Sequence, residues 1–169
     1  MKKYDLIREG KLFRIIALKD FNGVRKGYFG GVVENINNLG QQGNCWIHEN
    51  AKVTGNAQVT GNAEVYGNAK VYDNARIIDK SKVTGNAKVY GNAYVLGNTQ
   101  ATKEVITFGN IFDYDITITD NHIKIGCQQY LKSRWLEFTN KEILEMGGKR
   151  ALKFWGLFKP FAINRGFFN

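Results

Sequence analysis

Several residue types that small proteins use for stability or catalysis are scarce in this chain of 169 residues. Only two cysteines occur, Cys45 and Cys127, too few for the disulfide framework that compensates for a small core in secreted domains. Two buried apolar thiols are the simpler interpretation. The length favours one domain with a sizeable core over two ordinary domains.

Long apolar runs are also missing. The first twenty residues scatter charges among the hydrophobic positions, unlike a signal peptide, and no later stretch has the length of a membrane-spanning helix. We therefore expect a cytoplasmic protein without a membrane partner.

Side chains suited to catalysis or metal binding are few: two histidines, His48 and His122, and two serines, Ser81 and Ser133. A catalytic zinc site built from histidines needs about three converging imidazoles. No cysteine or carboxylate cluster at ligand spacing replaces them. We expect no metal and no cofactor, and we assign no catalytic residue.

Positive charge is in excess but unevenly distributed. The net charge of +9 divides into +4 for residues 1–46, zero for 47–127 and +5 for 128–169. This division predicts that attraction for an anionic partner comes mainly from the two ends of the chain. Solvated charge that serves only solubility is the alternative.

A six-residue repeat of the form V-x-G-N-A-x dominates the middle of the chain. An aliphatic residue recurs nine times without a slip, at Ile47, Val53, Val59, Val65, Val71, Ile77, Val83, Val89 and Val95. A small residue follows four positions later each time. Branched aliphatics suit the inside of short strands, and Gly-Asn or Asp-Asn suits sharp corners because these residues tolerate left-handed backbone.

The repeat resembles the hexapeptide repeat of left-handed parallel β-helix proteins, in which three hexads form one triangular coil. The resemblance implies about three coils, with residues eighteen apart stacked at the strand spacing of about 4.8 Å. We therefore predict a mainly β fold: a single-stranded left-handed parallel β-helix at 47–100 between two caps. The N-terminal cap, 1–46, has a strand and an irregular coil, and the C-terminal cap, 101–169, has a β-hairpin and α-helices.

The C-terminal cap carries specific local signals. Asp120 and Asn121 mark the turn of the hairpin. Thr139 and Glu142 form a capping box at the start of a helix. A second helix is predicted after a break at 147–148, with its end at Pro160.

The wider pattern resembles small uncharacterised hexapeptide-repeat proteins of phages and prophages. The resembling stretches are GKLFRIIALKDF, KGYFGGVVENINNLGQQGNCWI, the GNA-type hexads and IKIGCQQYLKSRW. The resemblance implies a phage or prophage origin, hence the cytoplasm of the host cell, and transfers no activity.

Three functions remain open. Hexapeptide acyltransferases use a general-base histidine and a loop that leaves the coil. Here His48 is expected to point outward, His122 is expected to be exposed near a turn, and no insertion interrupts the hexads. We therefore favour a non-catalytic binding protein over an acyltransferase-like enzyme. The binding protein would bind either a host protein, in a counter-defence role, or an anionic ligand.

An anionic ligand has specific candidate residues. The stacking aligns Lys52, Lys70 and Lys88 in a column beside Tyr72 and Tyr90, so that phosphates could neutralise the lysines while bases stack on the tyrosines. Basic clusters in the caps extend this surface: Arg25, Lys26, Lys149, Arg150 and Lys153. Nucleic acid and nucleotides are the partners that this pattern favours.

We also expect a homo-oligomer, a dimer or trimer. Trimers are common among the hexapeptide-repeat proteins that the chain resembles. Ile78 and Leu96 share one outer face and predict a seam between subunits. The aromatic C-terminal tail offers a second contact surface: Phe161, Phe167 and Phe168.

Overall fold

Short strands follow one another at the hexad spacing, between longer strands and helices at the two ends. A computed structural model describes residues 2–111 and 114–169. The chain begins with β1 (Tyr4–Glu9), β2 (Leu12–Ala17), β3 (Phe29–Val33) and a short 3-10 helix (Ile36–Asn38). Ten two-residue strands form the body: β4 (Trp46–Ile47), β5 (Lys52–Val53), β6 (Gln58–Val59), β7 (Glu64–Val65), β8 (Lys70–Val71), β9 (Arg76–Ile77), β10 (Lys82–Val83), β11 (Lys88–Val89), β12 (Tyr94–Val95) and β13 (Gln100–Ala101). The C-terminal cap contains β14 (Ile106–Ile111), β15 (Tyr114–Ile118), β16 (His122–Ile125), β17 (Gln128–Leu131), α1 (Lys132–Glu137) and α2 (Asn140–Asn164).

The body is a β-solenoid, which confirms the predicted parallel β-helix. Its strands stack in three parallel sheets: sheet A contains β3, β5, β8 and β11, sheet B contains β4, β7, β10 and β13, and sheet C contains β6, β9 and β12. Sheet C gains a fourth level through a bridge from Leu39 to Val59. The solenoid thus has about four turns. The nine hexads supply three turns, and the fourth turn is made up of β3 and the Leu39 bridge before them and β13 after them.

Stacked aliphatic side chains form the axis of the solenoid. Val71 pairs with Val53 on one side and with Val89 on the other, as the eighteen-residue stacking predicts. All nine hexad aliphatics and the alanines at the corners are fully buried. Each buried aliphatic contributes about 1.5 to 3 kcal/mol before entropic costs.

The corners need left-handed backbone, and three of them achieve it without glycine. Glu49, Asp73 and Asp79 have φ of 44°, 59° and 61°, where most corners have glycine. The carboxylates of Asp73 and Asp79 accept the backbone N–H groups of Gly91 (3.0 Å) and Gly97 (3.1 Å) in the next turn, which offsets the strain. Asparagines at successive corners form a ladder, with amide hydrogen bonds of 3.1 and 3.3 Å along Asn56, Asn74 and Asn92.

An antiparallel hairpin covers the N-terminal end. β2 is the strand predicted for this cap. β1 and β2 add to sheet A next to β3, so that the sheet has six strands in total. Trp46 lies beneath the rings of Phe21 (5.4 Å) and Tyr4 (6.3 Å) and is fully buried. At Gly31 the chain passes so close to the Ala51 carbonyl that an added Cβ would collide with it.

A four-stranded antiparallel sheet, β14 to β17, covers the C-terminal end. The predicted hairpin is present as β15 and β16. The Thr117 hydroxyl accepts the N–H of Tyr94 (3.1 Å), and Gln129 Nε2 donates to the carbonyl of Leu96 (3.1 Å). These bonds satisfy backbone groups of the last turn that would otherwise form an open edge.

The helices pack on the other face of that sheet. The predicted capping box is formed: Thr139 Oγ1 accepts the N–H of Glu142 (3.3 Å), and Glu142 Oε2 accepts the N–H of Thr139 (2.8 Å). The predicted break is also present, since Gly147 and Gly148 leave helical geometry.

The predicted end of the second helix at Pro160 is wrong, because α2 continues to Asn164. Ala162 is fully buried in the cap, and the ring of Phe161 packs on Phe158 and Phe167. This packing outweighs the one backbone hydrogen bond that proline removes. Among the described residues, no helix is long and apolar enough to cross a membrane.

Candidate functional site

Three lysines form the predicted column on the outer face of sheet A. Lys70 pairs in register with Lys52 above and Lys88 below. Lys70 and Lys88 are exposed and Lys52 is half-buried. Within the described parts of the chain, no carboxylate lies at ion-pairing distance from any of the three ammonium groups. The column is therefore positive charge that no ion pair among the described residues neutralises.

Two tyrosines stand beside the column, on the other side of the inward valines. The rings of Tyr72 and Tyr90 stack on each other, with centroids 5.3 Å apart and planes 9° apart. The Tyr90 hydroxyl donates to Glu104 Oε1 (2.9 Å), and this hydrogen bond raises the pKa of Tyr90. One face of each ring is therefore covered by the other tyrosine, and only the outer faces of the pair could contact a base.

The lysine column continues into an apolar surface along sheet A. Val32 of β3 lies in register with Lys52, and two exposed apolar side chains follow: Phe29 (52%) on β3 itself and Ile7 (42%) on β1. Arg14 lies among them, but its guanidinium is paired with Glu9 at 2.5 Å. One face of sheet A therefore has an unpaired basic half and an apolar half.

The basic residues predicted for the caps lie elsewhere. Lys149, Arg150 and Lys153 are exposed on α2, in the helical layer of the C-terminal cap. The Arg150 guanidinium lies 5.6 Å from the ring of Tyr114. These three residues therefore lie on α2, whereas the lysine column lies on sheet A.

The predicted seam residues differ in their exposure. Ile78 and Leu96 stack on the outer face of sheet C and are half-buried. Phe161 is 40% exposed. Phe167 and Phe168 are half-buried against the aromatic core of the C-terminal cap, so their rings already have partners within the chain.

His48 points outward as predicted, but its neighbours enclose it. Its ring stacks on Tyr66 at 4.1 Å, and its Nε2 atom is buried 3.9 Å from Glu64 Oε1. Burial lowers the pKa of His48, partly opposed by Glu64. Glu64 also lies 3.4 Å from Lys82 Nζ and 3.4 Å from Asn22 Nδ2, so it joins the N-terminal loop to the solenoid.

His122 was expected to be exposed, and that expectation is wrong. It is half-buried, its Nδ1 atom is enclosed without a hydrogen-bond partner, and burial lowers its pKa. Among the described residues, no group of three or more His, Cys, Asp or Glu side chains lies together in a way that could hold a metal ion.

Sequence reasoning missed a buried lysine. Lys3 is 1% exposed, and its ammonium donates to the Cys45 carbonyl (2.9 Å) and Cys45 Sγ (3.1 Å). Burial lowers the pKa of Lys3, and Cys45 partly opposes that shift. No sequence signal identified this pair, because it forms only when the N-terminal hairpin closes over the first turn.

A scan against protein-family models gives no match, and no curated protein matches the chain significantly. The likeness to phage-encoded proteins is therefore an interpretation of the repeat pattern and its flanking stretches.

Proposed function

We propose that the protein is a non-catalytic binding module that presents the lysine column to a linear polyanion, with single-stranded nucleic acid as the first candidate. The observation that supports this proposal is the register of Lys52, Lys70 and Lys88, together with the lack of a carboxylate partner among the described residues. Neighbouring ammonium groups at the strand spacing of about 4.8 Å repel each other by about 0.9 kcal/mol even at the dielectric constant of water. A chain of anionic groups along the solenoid axis removes this repulsion.

The geometry suits a polymer better than a compact anion. The three lysines lie in one line on consecutive turns of a repeating backbone, so the positions of their Cα atoms are fixed relative to one another. A ligand with regularly repeated phosphates contacts all three and releases counterions from each contact. The stacked pair of Tyr72 and Tyr90 lies beside the column and offers aromatic surface to a base of the same polymer.

Binding of a labelled single-stranded oligonucleotide, followed by fluorescence anisotropy across a salt series, tests this proposal. The wild-type protein is expected to bind at low salt, with an affinity that falls steeply as salt rises. Lys70→Gln should weaken binding and reduce the slope of log K against log salt by about 0.7, and the triple variant by about 2. Lys80→Gln is the matched control, because Lys80 is an exposed solenoid residue outside the column.

Two results count against the proposal. One is a wild-type protein that does not bind any polyanion at low salt. The other is an equal loss in Lys70→Gln and Lys80→Gln, which would make the effect one of total charge alone.

A host protein is the second candidate partner, because the lysine column adjoins the exposed side chains of Ile7 and Phe29 on the same sheet. An acidic protein surface with apolar anchors would use both halves. Such a partner should be recovered from a host lysate with wild-type protein as bait and lost with Lys70→Gln.

A further inference from the structure

The second half of α2, after the break at Gly147 and Gly148, has an unusual charge pattern. Residues 147–165 contain five basic side chains and no acidic one: Lys149, Arg150, Lys153, Lys159 and Arg165. A surface with this composition attracts anions over its whole length.

One face of this helix builds the core of the cap. Phe154, Trp155, Phe158 and Ala162 are all at most 5% exposed and pack against the β14 to β17 sheet and α1. The ordinary apolar face of an amphipathic helix is therefore already covered.

Two further apolar side chains lie roughly 40° apart on one flank of this buried face: Leu157 is 51% exposed and Phe161 40%. Cations stand beside them: the Arg165 guanidinium lies 5.7 Å from the Phe161 ring, and Lys153 lies one turn before Leu157 on the same flank. We define Leu157 and Phe161 as the outer apolar patch.

We propose that the outer apolar patch and its flanking basic residues bind an anionic lipid surface. The apolar side chains enter the boundary between headgroups and acyl chains, and the lysines and arginines contact the anionic headgroups. This proposal is independent of the lysine column on sheet A.

Charge argues against the two other occupants. A second copy would bring its own five basic residues against these five, without an acidic residue from 147–165 to pair with them. A nucleic acid would use the cations but would leave the exposed Leu157 and Phe161 without apolar contacts. An anionic lipid surface uses both.

The sequence expectation of no membrane partner rested on the lack of a spanning run. A spanning run is not needed for a helix that lies in the interface. The patch is visible only once the structure shows which aromatic residues of α2 are buried.

Flotation of the full chain with phosphatidylcholine vesicles, with and without phosphatidylserine, tests the proposal. The wild-type protein should bind only the vesicles with phosphatidylserine and should be released by salt. The double variant Leu157→Gln/Phe161→Gln should lower partitioning roughly thirtyfold, since two half-exposed apolar side chains lose their burial. Lys153→Gln should lower it about fivefold.

Matched controls separate the patch from general surface effects. Leu131→Gln changes an equally exposed leucine (50%) on β17, outside the helix, and Lys80→Gln removes an exposed lysine of the solenoid; both should bind as wild type. The thermal midpoint of each variant checks that the cap still folds. Lys70→Gln should keep vesicle binding while losing the polyanion, so the two proposals fail separately.

Several outcomes overturn the proposal. These are no binding to phosphatidylserine vesicles, equal binding to both vesicle types, or unchanged binding of the folded double variant. A lower sedimentation mass of the double variant without vesicles would assign the patch to a second copy. Loss of vesicle binding in Lys70→Gln would assign the lipid contact to sheet A.

Discussion

The corner at Asp79 provides a quantitative test of the solenoid geometry. Asp79 has φ of 61°, and its carboxylate accepts the N–H of Gly97 in the next turn at 3.1 Å. A side chain in left-handed backbone costs about 1 to 2 kcal/mol, whereas glycine adopts it freely. The charged hydrogen bond returns about 1.5 kcal/mol, toward the lower end of its range because the carboxylate is exposed.

Three substitutions separate these two terms. Asp79→Ala keeps the strain and loses the hydrogen bond, so the free energy of unfolding should fall by about 1.5 to 2 kcal/mol. Asp79→Gly loses the same bond but also removes the strain, so it should be about 1 kcal/mol more stable than Asp79→Ala. Asp79→Asn should lie near wild type, because asparagine tolerates this backbone and its amide oxygen still accepts from Gly97.

Urea unfolding followed by far-ultraviolet circular dichroism gives these values, provided that the m value is the same for all variants. Lys80→Ala, at the next corner position, controls for removal of an exposed side chain and should change stability by less than about 0.5 kcal/mol. Equal stability of Asp79→Ala and Asp79→Gly would refute the left-handed corner at this position. A wild-type stability for Asp79→Ala would refute the hydrogen bond between turns.

Two further predictions concern acid sensitivity and assembly. Burial lowers the folded pKa of His48 and His122 below the ordinary value of about 6.5, so the unfolded chain binds protons more readily than the folded chain. The free energy of unfolding should therefore be highest above that pH and fall as the pH drops through it. His48→Gln should reduce this fall, as measured by urea unfolding at a series of pH values. Ile78→Asp should lower the mass of any oligomer in sedimentation experiments if the face it shares with Leu96 forms the seam, and an unchanged mass would reject that seam.

The hexads predicted most of the body because six residues per strand and corner leave little freedom. The period alone placed Val53, Val71 and Val89 in one column and aligned the three lysines. The first turn was predicted only as an irregular coil, because its inward residues Val33, Leu39 and Ile47 are spaced by six and then eight residues. The two extra residues widen one corner and interrupt the six-residue period.

Other features depend on contacts between distant segments, which a period does not record. Trp46 occupies an outward position of the repeat, and it is buried only because Phe21 crosses it. Glu64 and Lys82 are eighteen residues apart, so their contact followed from the stacking, but the approach of Asn22 did not. Pro160 is a strong stop signal in sequence, and the burial of Ala162 just beyond it overrides that signal.

The distribution of charge over the faces changes what the zero net charge of residues 47–127 means. That sum indicated a neutral body whose ends alone would attract anions. The structure shows that several acidic side chains of the body are engaged: Asp73 and Asp79 accept backbone N–H groups at corners, and Glu64 lies against Lys82 on sheet B. The lysines of sheet A have no such partner among the described residues, so the body has a basic face although its charges sum to zero. Because the repeat sorts residues by face, the electrostatic field of each face, rather than the total charge, decides which ligand the solenoid attracts.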